Sequence, residues 1–446
     1  MNKTKIPALA LLILILALSS LNAKAETVAD PESPTGYRTT ISYTDPDADD
    51  VKAWGSFQFY EKGDMGAFAN GFLLPAWDKQ ANHITGYADW EAGKGLVHVM
   101  NYTAPGGDVR LEKGEDGLWS ADLFLPGGRY MYNISVSYDG GKTYTTGYDK
   151  ENAPWALELG AKQNLSQFFV PYCEKQGNKE NYDWTFITPI EDESLRGTII
   201  SVYYPGLGGE QNAEIYLPAG YDESREEPYK VLYISHGGAG DVGDWFYQGG
   251  LGNITDRMIA DGSVEPFVIV CMDNAIYGDV FPTSIYGYRH SDNDLYFLTC
   301  WENIKTCLIP YVEKNYNVCT EASGKAFAGL SNGAKQTTFV MLTDPEDFGY
   351  YGLFSGSAAW AWPESVDKAD YEHAKVYLAA GFADQLLVQN TYHTSGDKTL
   401  VGIKEKLDAA GIPYNNGDGY TVVEGAHDWF TWPLIILDYF PNYLWK

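Results

Sequence analysis

Hydrophobic and polar positions along this chain change their period near residue 197. From about Tyr37 to Trp155 the apolar residues come in short β-type runs, VKAWGSFQFY, GLVHVMNYTA, GLWSADLFLP, RYMYNISVSY and TYTTGY. Asp-Gly, Pro-Gly-Gly and Asp-Gly-Gly punctuate these runs, and such steps favour turns between strands. The pattern predicts an antiparallel β-sandwich of immunoglobulin-like type over residues 37–155. Residues 156–196, including KQGNKENYD, are polar and aperiodic and read as a linker.

From Gly197 onward, apolar strands alternate with longer helical stretches. The strands expected are TIISVYY, AEIYLP, KVLYISH, PFVIVCMD, KAFAGLS, YYGLFSG, KVYLAAG and YTVVEG. The helices expected are LYFLTCWENIKTCLIPYVEKNY, GAKQTTFVMLTD, TLVGIKEKLDAAG and TWPLIILDYF. Runs such as KVLYIS and FVIV lack polar alternation, as strands covered on both faces do, and helices separate them. Residues 197–446 therefore predict an α/β domain with a mainly parallel sheet. A chain of 446 residues also exceeds one comfortable core, so two domains are expected.

The first 25 residues stand apart. Lys3 and Lys5 precede an apolar core from Ile6 to Leu18, and Ala23-Lys24-Ala25 closes it. This reads as a secretory signal peptide over residues 1–25, cleaved after Ala25. The apolar run is short for a spanning helix, and no Cys follows it to carry a lipid anchor. The expected product is secreted, extracellular or periplasmic, with no membrane segment after cleavage. Charge narrows its partners. The net −29 of the whole chain becomes −32 once Lys3, Lys5 and Lys24 leave, with 28 basic against 60 acidic residues. Such a chain repels nucleic acid and anionic membrane, so a neutral polymer or an uncharged ester is the easier partner. Cys173, Cys271, Cys300, Cys307 and Cys319 are too few and too irregular for a disulfide scaffold or a zinc site. Cys271, within PFVIVCMD, is expected in the core, and a bridge from Cys307 to Cys319 or Cys300 stays open.

Candidate chemistry begins at AFAGLSNGAKQT, residues 326–337. FAGLS reads as a strand running into Ser331 and GAKQTTFVML as a helix leaving it, with Gly329 and Gly333 flanking the sharp turn. That is the setting of a nucleophile elbow. A serine hydroxyl is weakly nucleophilic, so it needs a base in hydrogen-bond reach and an acid to orient that base. KVYLAAGFADQLL places Asp384 just past one later strand, and YTVVEGAHDWF places His427 just past another. The rivals fit less well. His83, His98 and His290 precede the serine, His373 lies before a strand, and His393 follows Asp384 with no strand between; Asp397 is the main alternative acid. An acyl-transfer site also needs N–H donors for the oxyanion. Asn332 supplies one, and Gly237 or Gly238, in the HGG that follows the strand VLYIS, supplies the other.

LYISHGGAGDVGDW, LIPYVEKNYNV, AFAGLSNGAKQT, FGYYGLFSGS and EGAHDWFTWP together resemble the esterase-D-like branch of the α/β-hydrolases, most closely the feruloyl and acetyl-xylan esterases of carbohydrate esterase family one. The resemblance spans roughly residues 197–446. DGLWSADLFLPGGRYMYNISV resembles the early-set, glycogen-binding-like sandwich that often precedes such domains. The resemblance implies Ser331 as nucleophile, Asp384 as acid and His427 as base. It also implies deacylation of plant polysaccharide or oligosaccharide esters with no metal and no organic cofactor. Two positions depart from the pattern. Members commonly carry an apolar residue, often Met, after the serine and then Gly-Gly, where this chain has Asn332 and then Gly333-Ala334, which implies a more polar acyl pocket. For each of the nearby aromatics Trp245, Tyr247, Trp360, Trp362, Trp429 and Trp432, taken singly, core or rim packing is the commoner role; Trp245, Trp360, Trp362 and Trp429 are the candidate substrate contacts, and the pair Trp360 and Trp362 in SAAWAWPES is the favoured ligand-facing one. The same fold and triad serve siderophore esterases and sugar acyltransferases. A carbohydrate-binding protein with a vestigial hydrolase domain is the reading from another class, and the complete triad argues against it. Nothing in the pattern signals an oligomeric state.

Overall fold

The computed structural model describes residues 19–61, 84–86, 96–99, 108–152, 165–238, 240–274, 293–356, 366–381, 384, 399–417, 419–425 and 427–446. Its C-terminal part is built on an eight-stranded sheet whose strands we number in chain order: β1 Thr198–Gly206, β2 Gly209–Leu217, β3 Val231–Ser235, β4 Val268–Met272, β5 Lys325–Leu330, β6 Tyr350–Phe354, β7 Lys375–Gly381 and β8 Thr421–Val423. The spatial order is β1-β2-β4-β3-β5-β6-β7-β8. β1 and β2 form a hairpin, and β2 runs antiparallel to β4. From β4 to β8 every neighbouring pair is parallel. Their carboxyl ends consequently share one edge of the sheet. That edge is where side chains from loops after different strands meet.

The sequence explains why these strands sit inside. All five residues of β3 and of β4 are buried, as an unbroken run of β-branched and aliphatic residues requires when helices cover both faces. One face carries α1 (Leu251–Ala260) and α6 (Thr431–Asn442), whose Leu251, Ile254, Ile435 and Ile436 join Leu232, Ile234 and Ile269. The other carries α2 (Asn293–Asn303), α3 (Ile309–Asn315), α4 (Asn332–Thr343) and α5 (Leu400–Ala410). There Trp301, Val312, Val340 and Leu407 meet Tyr233, Val270 and Phe327. Each such aliphatic side chain contributes roughly 1.5–3 kcal/mol of burial.

Two features depart from the periodicity. The single long helix expected over residues 295–316 is broken by a π-turn at Ile304–Leu308, where Pro310 in the first turn of α3 has no N–H to give the preceding turn. The helix α1 was not expected at all. It opens on Gly250 at φ 64, where a Cβ would stand 2.1 Å from Ile187 Cγ1.

The N-terminal part is all β. One sheet takes the strands Ser19–Leu21, Thr145–Asp149, Gly128–Ser137, Asp50–Gly55 and Asp108–Arg110, with Ser166–Val170 paired to Gly128–Ser137. A second takes Ala23–Ala29, Tyr37–Thr44, Leu118–Leu123 and Glu112–Lys113. Their shared core holds Ile41, Val51, Ala53, Trp119, Tyr130, Tyr132, Ile134 and Phe168. The β region thus draws on residues either side of 37–155. Ala23, Lys24 and Ala25, the cleavage-like end of the leader, lie within Ala23–Ala29 and pair with Tyr43, Ser42 and Ile41. The expected cleavage after Ala25 would take the strand Ser19–Leu21 and the first three residues of Ala23–Ala29, while residues 1–18 lie outside the described residues. Among the described residues no helix is long and apolar enough to cross a membrane.

The stretch expected as a linker is anchored. Trp184 and Ile187 are buried in the same cluster as Tyr216, Trp245 and Leu251, and so are Met131 and Leu165 from the β region. Gln167 Nε2 also donates to the Tyr247 carbonyl at 2.9 Å. Isolated apolar anchors in a polar stretch carry no period, so composition concealed them.

All five cysteines are free; Cys271 and Cys300 are buried, and the latter's thiol donates to the Asn274 carbonyl at 3.1 Å. Alkylation of the denatured, unreduced protein followed by mass spectrometry is expected to label all five thiols; a labelled count of three or one contradicts this arrangement.

Candidate active site

Strand β5 ends at Leu330, and Ser331 follows with φ 52 and ψ −109 before α4 begins at Asn332. Positive φ costs a non-glycine residue of order 1–3 kcal/mol, so the turn persists only because its surroundings enforce it. A Cβ on Gly329 would stand 2.4 Å from the carbonyl carbon of Gly333, and one on Gly333 would stand 2.6 Å from the carbonyl oxygens of both Ser235 and His236. No L side chain fits at either place. The Ser331 N–H is held by the Phe354 carbonyl of β6 at 3.0 Å. The elbow expected at residues 329–333 is therefore formed.

The other two residues arrive from later strands. His427, in the loop after β8, brings Nε2 to 2.9 Å from Ser331 Oγ. Its Nδ1 lies 3.1 and 3.0 Å from the two carboxylate oxygens of Asp384, which follows β7. The Asp384 side chain is fully buried and the His427 ring is 19% exposed. A buried acceptor behind Nδ1 fixes the tautomer in which Nε2 is free to take the serine proton. Trp432 supports the ring edge-on at 5.3 Å, its own indole N–H donating to Ser355 Oγ at 3.0 Å.

The next residue holds the loop. Asp428 Oδ1 accepts from the N–H groups of Phe430 and Thr431 at 3.0 and 3.1 Å and from the Thr431 hydroxyl at 3.2 Å. Burial pushes the Asp428 carboxyl up to about 6, with the charge of Asp384 adding to the rise against these donors. Nothing in the sequence singled Asp428 out, since its neighbour His427 absorbed the motif.

On the donor side, Asn332 opens α4, and the first N–H groups of a helix have no acceptor within it. A Cβ on Gly237 would lie 3.4 Å from Ser331 Cβ and 3.9 Å from its Oγ. The HGG loop after β3 therefore rests against the serine. Gly238 beside it is exposed.

The aromatic candidates divide. Trp245 is 1% exposed, its N–H tied to the Ser235 carbonyl at 2.9 Å. That corrects its expected substrate contact: the ring is a wall of the core. Trp429 is 7% exposed and stands perpendicular to Trp245 and nearly so to Trp432. Tyr247 is buried, its hydroxyl shared between Asp241 and Asp244 at 2.7 Å from each. Trp360 and Trp362 lie outside the described residues, as do His83, His290, His393 and Asp397. His98 lies on the strand Leu96–Val99, away from these motifs in the chain, and His373 is exposed, its Nε2 against the Pro345 carbonyl. Among the described residues no group of three or more metal-binding side chains is assembled.

Residues 205–441, more than half of the chain, match the family described as putative esterase. The chain belongs to that family. It is therefore a carboxylic ester hydrolase. It is 27% identical over 349 residues to an endo-1,4-beta-xylanase/feruloyl esterase of Xylanibacter ruminicola, covering 76% of this chain and 42% of the relative. It is 27% identical over 185 residues to endo-1,4-beta-xylanase Y of Acetivibrio thermocellus, covering 39% of this chain and 15% of the relative. The esterase thus spans less than half the length of either relative. Among solved structures, the enterobactin esterase of Shigella flexneri superposes with a TM-score of 0.51 at 13% identity, over 95% of this chain and 96% of that one, a likeness of fold alone. A feruloyl esterase module from Clostridium thermocellum complexed with sinapinate gives 0.42 at 18% identity, over 58% of this chain and 91% of that one.

Asp428 has a folded pKa of about 6 against about 3.9 in the unfolded chain. Its folded form favours the proton, so its contribution is complete below about pH 4 and lost as pH rises through about 6, a change of roughly 2–3 kcal/mol. Asp428→Asn cannot lose that proton. Thermal melts from about pH 4 to pH 8 are expected to show the variant gaining on the wild type across this window; parallel curves disprove the assignment.

Proposed function

We propose that this esterase is a secreted serine hydrolase that cleaves feruloyl or acetyl esters on plant cell-wall polysaccharide, with Ser331, His427 and Asp384 as its catalytic residues. The observation that carries the reading is the chain of contacts from Ser331 Oγ to His427 Nε2 at 2.9 Å and from His427 Nδ1 to Asp384 at 3.0 Å. His427 takes the Ser331 proton as Oγ attacks the ester carbonyl carbon, and the N–H groups of Asn332 and the Gly237–Gly238 loop receive the oxyanion. The C–O bond to the sugar then breaks, and His427 returns the proton to the leaving oxygen. Water, deprotonated by His427, attacks the acyl carbon and releases the acid with the proton restored to Oγ. Asp384 holds the imidazole and stabilises its charged form. No metal or organic cofactor enters these steps.

Support for the substrate class comes from the relatives, named as xylanases and a feruloyl esterase. The surplus of acidic residues agrees with a neutral polymer, and the leader over residues 1–25 agrees with export. The all-β region, read as an immunoglobulin-like sandwich, braces the hydrolase through the shared cluster of Met131, Leu165, Trp184 and Trp245. A second reading, a siderophore esterase, has one specific observation in its favour: the enterobactin esterase shares the fold over 95% of this chain, the all-β region included.

Wild type and Ser331→Ala are to be assayed on methyl ferulate, acetylated xylan and a ferric catecholate trilactone. The expected result is release of ferulate or acetate by the wild type and a loss of at least about a thousandfold in the variant. Unchanged hydrolysis by Ser331→Ala removes the triad; turnover of the trilactone alone transfers the enzyme to the second reading.

A further inference from the structure

His236 follows β3 and is 3% exposed. Its Nδ1 lies 2.7 Å from the carbonyl oxygen of Gly237, and its Nε2 lies 3.0 Å from Oδ1 of Asp273, which follows β4. A backbone carbonyl and a carboxylate only accept hydrogen bonds, and a neutral imidazole has a single N–H. One neutral ring cannot serve both. We propose that His236 is held as an imidazolium that clamps the Gly237 carbonyl and so fixes the Gly237–Gly238 peptide plane, making it the positioning residue of the oxyanion loop; this rests on the serine-esterase reading above.

The geometry around the ring supports the assignment from three sides. A trans peptide is planar, so a Gly237 carbonyl turned onto the ring sends the Gly238 N–H the opposite way, which selects Gly238 as the donor from this loop. Gly237 lies against Ser331, and the main-chain carbonyl of His236 accepts from Asn274 Nδ2 at 2.6 Å. That same carbonyl stands 2.6 Å from where a Cβ of Gly333 would be. The clamp and the elbow are therefore in contact. Charge is compensated locally. Asp273 faces Nε2 with its side chain 9% exposed. On the Nδ1 side, a Cβ at Gly240 would stand 2.2 Å from Asp244 Oδ2 and 2.8 Å from His236 Nδ1, so the Asp244 carboxyl approaches that edge. Asp244 accepts from Tyr247 and Gln248 at 2.7 Å each, and Asp241 shares the Tyr247 hydroxyl. Burial alone favours the neutral ring; the hydrogen bond and charge of Asp273, with Asp244 behind, turn the net direction upward.

The deciding measurement is NMR of the full-length enzyme carrying 15N-labelled histidine. Protons on both His236 nitrogens are expected at pH 8, well above the ordinary titration near 6.5; one bare nitrogen there overturns the proposal. Kinetics supply the second arm. His236→Ala is expected to lower kcat by about ten- to a hundredfold with KM changed less than about threefold. His236→Asn places an amide nitrogen near the Nδ1 position, so it is expected to regain at least tenfold over the alanine variant and to lose any alkaline decline in kcat that belongs to His236. An asparagine variant no better than alanine counts against the clamp. If either variant fails to fold, the spectrum of the wild type still decides. Failure of the esterase reading is separable, because it shows in Ser331→Ala and leaves the His236 resonances unaffected.

Discussion

Backbone meets backbone where α4 leaves the turn at Ser331. Gly333 packs on the carbonyls of Ser235 and His236 at a separation that admits no side chain, and the rest of the site depends on that contact. It fixes the direction in which β5 ends, hence the strained dihedrals of Ser331. It also presses the end of β3 against the serine, which brings the HGG loop to the same place. Strain of this kind is held by the packing of two cores, one on each face of the sheet. The strand that ends at Ser331 has three parallel strands beyond it on one side and β3 with β4 on the other, so no sheet edge lies next to the turn.

Asp384 and His427 come from the end of the same sheet farthest from the hairpin. β7 and β8 are neighbours, which is why residues 384 and 427 meet although 43 positions separate them. Asp428 then caps the start of α6 and holds the backbone on which His427 stands. The histidine is thereby supported from Asp384 at its ring, from Trp432 at its flank and from Asp428 along the chain.

Much of this is legible in the sequence. The eight strands of the α/β sheet could be read because β3, β4 and β5 are unbroken apolar runs, and the elbow because Gly-x-Ser-x-Gly falls where a strand passes into a helix. What escaped was set by tertiary contact. Leu251–Ala260 begins on a glycine against which Ile187, far away in sequence, packs too closely for any side chain. In the sequence Trp245 is one candidate substrate contact among several aromatics near the motifs, yet the carbonyl of Ser235 draws its indole into the core. The pairing of His236 with Asp273 joins two residues 37 positions apart, and no local pattern marks such a pair.

The cluster that unites Met131 and Leu165 with Trp184, Tyr216 and Trp245 changes what the stretch between the two folded parts is. Read by composition it is a hinge, a place where one unit swings freely against another. With apolar side chains from both units locked into one packed volume, and Gln167 bonded to the Tyr247 carbonyl, it is a joint set in mortar. The β region travels with the hydrolase as a single body, so any glycan surface it carries keeps a fixed distance and orientation to the serine.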